Sequence, residues 1–209
     1  MTVHAMAGLR AKHKIDRNSR IVDSASGLFR REGYEGARIE EIAAKAEVSV
    51  GTIYNYYRNK GDILVAIVSM EVHEVLAAGQ RLVQKPPKNV EKAVDALIAT
   101  YIDHSLVYLS KEMWRQAMAT STQQPDSPFG KTYTALDRDL ADQTCALIAK
   151  LQELGLVRND IDGRGVGEMI FNNMNMMFIE FIKHENISIK ELRGNIRRQN
   201  KTLVSTISS

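Results

Sequence analysis

Val48-Ser49-Val50-Gly51-Thr52-Ile53-Tyr54-Asn55-Tyr56-Tyr57, followed by Arg58-Asn59-Lys60-Gly61, is the stretch that decides how this chain folds. The Ser49 hydroxyl can accept a backbone N–H bond where a helix begins, and Val50 to Tyr57 then makes about two turns at about 1.5 Å per residue. Ile53 and Tyr57, four apart, share one face and point inward, which leaves Thr52, Tyr54, Asn55 and Tyr56 on the outer arc. The hydroxyls of that arc can donate to phosphate oxygens. Asn55, with donor and acceptor on one amide, can read a base edge, and Gly51 allows a close backbone approach. For a lone tyrosine, core packing is the commoner role. Here the capped turn, the polar arc and the basic residues that precede them agree on a nucleic-acid partner.

Working outward, Ile39, Ile42, Ala43 and Ala46 mark a short helix with Glu40 and Glu41 in its first turn, where carboxylates suit the positive end of the helix dipole. Upstream, Ile21, Val22, Ala25, Leu28 and Phe29 recur at helical spacing from about Ile15 to Glu32, with Gly33 as a C-terminal cap. Two short helices separated by Glu47-Val48-Ser49, with a third packed ahead of them, form the arrangement that lays a recognition helix in a major groove about 12 Å wide. Ahead of that, Arg10, Lys12, Lys14, Arg17 and Arg20 stand against Asp16 alone, and this stretch reads as a flexible basic arm entering the helix. Residues 1–60 hold 11 Lys or Arg against 7 Asp or Glu, and the remainder 17 against 18, so the positive excess of a chain with net charge +3 lies in the head. A polyanionic partner for the head follows, though solubility alone explains so small an imbalance equally well.

The head resembles the TetR family across about residues 15–64, on Arg20-Ile21-Val22-Asp23-Ser24-Ala25, Leu28-Phe29, Gly33-Tyr34, Ile42-Ala43, the run from Val48 to Tyr57, and Lys60. The resemblance implies a homodimer that grips a palindromic operator in double-stranded DNA and is released by a small molecule. It also implies a DNA-contacting set of Arg38, Ser49, Val50, Gly51, Thr52, Tyr54, Asn55, Tyr56 and Lys60, with Lys60 meeting a phosphate at a helix N-terminus. Arg38 departs from the family pattern, because it stands where a hydroxyl residue usually caps the second helix. Its guanidinium is expected to reach phosphate directly.

Past the head, a fourth helix is predicted from Lys60 to Gln84, ending at Pro86-Pro87. Apolar residues from Val90 to Leu109 continue helical period with a break towards Ala119, and Thr120 to Gly130, with two prolines and a glycine, reads as a loop. Further helices are expected over Lys131–Leu154 with Gly155 as cap, over Gly165–His184, and from Ser188, where Glu191 stands at capping-box spacing. The fold class is therefore all-α, about nine helices, with a DNA-binding domain at 1–60 and an effector-binding and dimerisation domain at 61–209.

The helix Gly165–His184 is apolar almost all round and must be covered on several sides. Met174, Met177, Phe178 and Phe181, with Leu192, Ile196 and Leu203 on the final helix, are the candidates for the dimer interface, against the plainer reading of a monomer core. Tyr101, His104, Tyr108, Trp114, Met118, Phe171, Asn172 and Asn175 are candidates for a pocket that takes a small apolar or aromatic effector, although plain packing accounts for any one of them at least as well. A regulator governed by a protein partner or by its own abundance is the alternative. His104 has no second ligand at convincing spacing, and no triad, Walker loop or dinucleotide fingerprint can be recognised, so no metal, cofactor or catalytic activity is expected. Cys145 is the sole cysteine and reads as a reduced structural thiol. The basic cluster follows, rather than precedes, the mildly apolar residues 1–9, and apolar runs stop well short of a membrane span, so a cytoplasmic protein is expected.

Overall fold

The computed structural model describes residues 3–208, with side chains from Lys12 onward. Nine helices make up the described chain: α1 (Val3–Glu32), α2 (Ile39–Lys45), α3 (Val50–Tyr54), α4 (Lys60–Gln84), α5 (Val90–His104), α6 (Lys111–Gln123), α7 (Pro128–Glu153), α8 (Gly163–Lys183) and α9 (Ile189–Ile207). Only an isolated bridge, Val157 to Ser208, interrupts the helical pattern among the described residues.

Seven of these helices, α3 to α9, begin on a Ser, Asn or Asp whose side chain accepts the N–H three residues on. Each such cap contributes about 1 kcal/mol and fixes where its helix starts, which is why most boundaries could be read from residue type. Two expectations are corrected. The stretch Arg10–Arg20 is helical, part of the thirty-residue α1, rather than an arm that leads into it. The predicted loop Thr120–Gly130 shrinks to four residues, because α6 runs on to Gln123 and Pro128 opens α7 at a first-turn position where its missing N–H has no partner to lose.

The head is α1 to α3 closed by the first turns of α4. Ile21, Phe29, Ile42, Ile53, Ile63 and Leu64 are fully buried there, each worth about 1.5–3 kcal/mol in surface withdrawn from water. Beyond the head, α7 packs along α8 and α4, and α9 lies against α5 and α8. One helix, α4, therefore belongs to both regions.

The seam between head and body is polar and specific. Ser26 on α1 donates its hydroxyl to the carbonyl of Tyr108 at 2.6 Å, Arg30 donates to the carbonyl of Val107 at 2.6 Å, and the Tyr34 N–H reaches Glu112 Oε1 at 3.1 Å. All three acceptors lie in or just after the α5–α6 link, so a movement of that link is felt directly by α1.

Candidate nucleic-acid interface and ligand cavity

At the tip of the head the turn between α2 and α3 places Glu47 in the left-handed region, φ 54°, a conformation most side chains avoid. Ser49 then caps α3, accepting the Thr52 N–H at 3.0 Å and lying 2.9 Å from the Thr52 hydroxyl. Ile53 and Tyr57 are buried as expected, and Tyr57 donates to Asn18 Oδ1 at 2.6 Å. Tyr54 is 54% exposed, and Arg38, Ser49, Gly51 and Asn55 are exposed beside it, with Val50 and Thr52 half-buried. Arg38 opens α2 and cannot accept a hydrogen bond through its side chain, so only the reciprocal half of a capping box forms, from Arg38 N–H to Glu41 Oε2 at 3.3 Å. Its guanidinium lies on the surface, paired only loosely with Glu40 at 3.5 Å.

Gly51 is informative because nothing inside the subunit demands it. A Cβ there would find only Ser49 Oγ, at 3.8 Å, and its φ is not positive. A glycine in a helix costs up to about 1 kcal/mol against alanine.

Two expected contacts look different in place. The Lys60 ammonium is turned into the head, where it donates to the carbonyls of Tyr34 at 2.9 Å, Glu35 at 3.0 Å and Ala37 at 3.3 Å and lies 5.0 Å from the Tyr34 ring centroid. Its three donors face these carbonyls, so Lys60 closes the end of α1. Tyr56 is half-buried, with its hydroxyl donating to the Lys14 carbonyl at 3.3 Å.

In the body, α4, α5, α6, α7 and α8 surround a narrow cavity of about 60 Å³ that opens towards solvent. Tyr101, Trp114, Met118, Phe171 and Asn175 line it as expected. So do Met174 and Phe178, which were candidates for the dimer interface, and Phe178 meets Trp114 edge to face at 5.3 Å. A second, wider space shares Met118, Tyr133, Asp137 and Asn175 with the first and is otherwise lined by Ser121, Thr122, Thr134 and Ile179, as a vestibule would be.

Three pocket candidates lie elsewhere. Asn172 is exposed on the outer face of α8. His104 stands behind the wall, its Nδ1 2.8 Å from Glu71 Oε1 and its Nε2 3.3 Å from Glu74 Oε2. Tyr108 donates to both Glu74 oxygens at 3.1 Å. Sequence reading missed the acidic members of the wall, Glu71 on α4 and Asp137 on α7, along with Tyr133. A signal for Glu71 was present: it falls on the apolar face of α4 at helical spacing from Ile67, Val68, Val72 and Val75, where a carboxylate is out of place. Glu71 is 2% exposed, its Oε2 is buried without a hydrogen-bond partner, and burial, outweighing His104, pushes its carboxyl up to about 7. Burial alone raises Asp137 to about 6.

The interface candidates also divide. Phe181, Leu192 and Ile196 are interior side chains, at most 2% exposed, already covered by their own subunit and unavailable to another. The reason is that α9 folds back on α5 and α8 within one chain. Met177 and Leu203 keep part of their surface, and Met169 and Met176, which the sequence reading passed over, are 58% and 57% exposed.

A three-helix head of this geometry, mounted on a helical body with a lined cavity, is the build of a one-component regulator. Residues 21–67 match the family profile of "Bacterial regulatory proteins, tetR family". The HTH-type transcriptional repressor SCO4008 of Streptomyces coelicolor is 31% identical over 86 residues, 41% of this chain and 43% of that protein, so the match spans less than half of that relative's length. The fatty acid metabolism regulator protein of Bacillus subtilis is 23% identical over 167 residues, 78% of this chain and 82% of its own. Among solved structures, FadR of Thermus thermophilus, a TetR-family repressor in complex with lauroyl-CoA, superimposes with TM-score 0.63 at 21% identity over 90% of this chain and 92% of that one. Residues 21–67 therefore carry the DNA-binding head that the TetR-family profile describes.

Proposed function

We propose that the protein is a transcriptional repressor that binds a palindromic operator as a homodimer and leaves it when a small molecule enters the body cavity. Residues 1–60 then serve as the DNA-binding unit and residues 61–209 as the effector-binding and dimerising unit. The observation that carries the reading is the double membership of α4, which starts at Lys60 in the head and supplies Val68, Glu71, Val72 and Val75 to the cavity wall. A ligand that displaces this wall moves the helix on which the head sits. A second route runs alongside, from Glu71 through His104, Glu74 and Tyr108 to the Tyr108 carbonyl held by Ser26 of α1. That a protein of similar fold, the Thermus FadR, forms a complex with lauroyl-CoA supports the reading in kind and leaves the ligand of this chain open.

The DNA-facing surface is the exposed set Arg38, Ser49, Gly51, Tyr54 and Asn55, with Val50, Thr52 and Tyr56 at its edge. Affinity for a selected operator should fall steeply with salt, by a factor set by the number of phosphates neutralised. Asn55→Ala should change base preference, whereas Tyr54→Phe should weaken all operators alike with circular dichroism unchanged. Selection from a random duplex library followed by footprinting checks both, and failure to enrich any sequence at low salt would contradict the regulator reading.

Dimerisation uses the outer face of α8 with α9, where Met169, Asn172 and Met176 line up at helical spacing beside Met177 and Leu203. Exposed apolar surface of this kind needs a cover, and a two-fold partner supplies one while presenting two recognition helices about 34–36 Å apart or at a multiple of that distance. Met176→Glu is expected to convert a micromolar dimer to monomers in sedimentation without loss of helicity. A variant that remains dimeric would place the interface elsewhere.

A further inference from the structure

We infer that the ligand of the body cavity is an organic cation: an apolar or aromatic molecule carrying an ammonium group that pairs with Glu71 and Asp137. The inference rests on the proposed function only for the identification of this cavity as the seat of the ligand.

The wall contains two carboxyl groups and no lysine, arginine or histidine. Its other polar side chains are partly committed. The Tyr101 hydroxyl donates to Gln143 Oε1 at 2.7 Å, and the Trp114 indole N–H to the Ser105 carbonyl at 2.7 Å. Glu71 is different. One oxygen is occupied by His104, and the other is buried without a hydrogen-bond partner, although the Tyr108 backbone N–H lies close enough to favour the charged carboxylate. A buried acceptor left unpaired is costly and uncommon in folded proteins, and it calls for a partner that is absent from the chain. Asp137, half-buried, is shared by the cavity and its vestibule, and burial alone shifts its carboxyl.

The charge of the missing partner follows from Coulomb's law in a low-dielectric setting. An anion would face two carboxyl groups with only His104, behind Glu71, to offset them, and a neutral ligand could offer a hydrogen bond but no charge. A cation satisfies the orphaned oxygen of Glu71 and can gain a second partner in Asp137, while Trp114, Tyr133 and Phe171 add aromatic rings, which attract cations, to the lining. The remaining lining, Val68, Val72, Val75 and Leu140 among it, takes an apolar body.

The test is calorimetric titration of the full-length protein with three probes of matched length: octyltrimethylammonium, octan-1-ol and octanoate. Octyltrimethylammonium is expected to bind tightest, and Glu71→Gln and Asp137→Asn are each expected to weaken it by about tenfold or more while leaving octan-1-ol within about threefold of its wild-type affinity. Thermal unfolding of both variants confirms that they are folded. Tighter binding of octanoate, equal binding of all three probes, no binding of octyltrimethylammonium, or indifference of its affinity to both substitutions would overturn the inference. Operator titrations with the same probe separate the two claims. Glu71-dependent binding that leaves operator affinity unchanged upholds the cation and sinks the release mechanism. Release by octan-1-ol or octanoate but not by octyltrimethylammonium does the reverse.

Discussion

Lys60→Ala is expected to destabilise the protein by about 2–3 kcal/mol, the scale of losing charge-assisted hydrogen bonds to partly buried acceptors. For a chain of 209 residues that corresponds to a fall in Tm of about 5–10 °C. The ammonium reaches three backbone carbonyls, those of Tyr34, Glu35 and Ala37, which stand free after α1 ends and have no other donor of comparable strength. Alanine leaves them to water, and the Tyr34 ring loses the cation above it. Arg58→Ala is the matched control. Arg58 pairs with Asp62 at 3.2 Å while 72% exposed, and such surface pairs contribute about 0–1 kcal/mol. A phosphate-contacting role makes the opposite forecast for Lys60: an unchanged Tm, and an operator-binding salt slope reduced by about one. Thermal melts and salt titrations of the two variants decide between a residue that shapes the head and one that touches DNA.

The same lysine shows what sequence reading could and could not deliver. Its position at the start of α4 was legible, because Asn59 announces a cap and the apolar period begins at once. The direction of its side chain was not. That depends on how the chain between α1 and α2 turns its carbonyls, a tertiary fact no local pattern encodes. The recognition helix was the opposite case. Ser49, Ile53, Tyr54 and Tyr57 took their expected places because capping and four-residue spacing are local rules. The body lay between these extremes. Its helices were readable from caps and period, yet Phe181, Leu192 and Ile196 were assigned to a dimer surface when their own subunit buries them. An apolar face states that it must be covered and does not say by what. His104 was read as a pocket candidate, and it stands behind the wall because carboxylates a helix away, Glu71 and Glu74, hold it there.

Glu71→Gln is expected to stabilise the ligand-free protein at neutral and alkaline pH. The unfolded chain titrates Glu71 near its ordinary 4.5, whereas in the folded protein burial pushes it up to about 7. Between those values the folded state holds more protons than the unfolded one, so the contribution of Glu71 is complete below about pH 4.5 and is lost as pH rises through about 7. A gap of that size corresponds to about 3 kcal/mol. Glutamine keeps the shape and an acceptor for His104 but has no charge to desolvate. The difference in unfolding free energy between variant and wild type should therefore be small at pH 5 and grow towards about 3 kcal/mol in favour of the variant by pH 8. Asp137, raised to about 6 by burial, shifts both curves in the same direction, and Glu74 and Tyr108 stay in both proteins, so the difference reports Glu71 together with the His104 it pairs with. Denaturant unfolding at pH 5, 6, 7 and 8 measures it, and a difference that stays flat with pH would show that Glu71 is not held against its ionisation. The sign separates the two roles this carboxylate could have. A glutamate kept for stability would lose stability on substitution. One that costs the empty protein stability is held for a partner that enters the cavity, and proteins commonly give up stability at sites where function requires it.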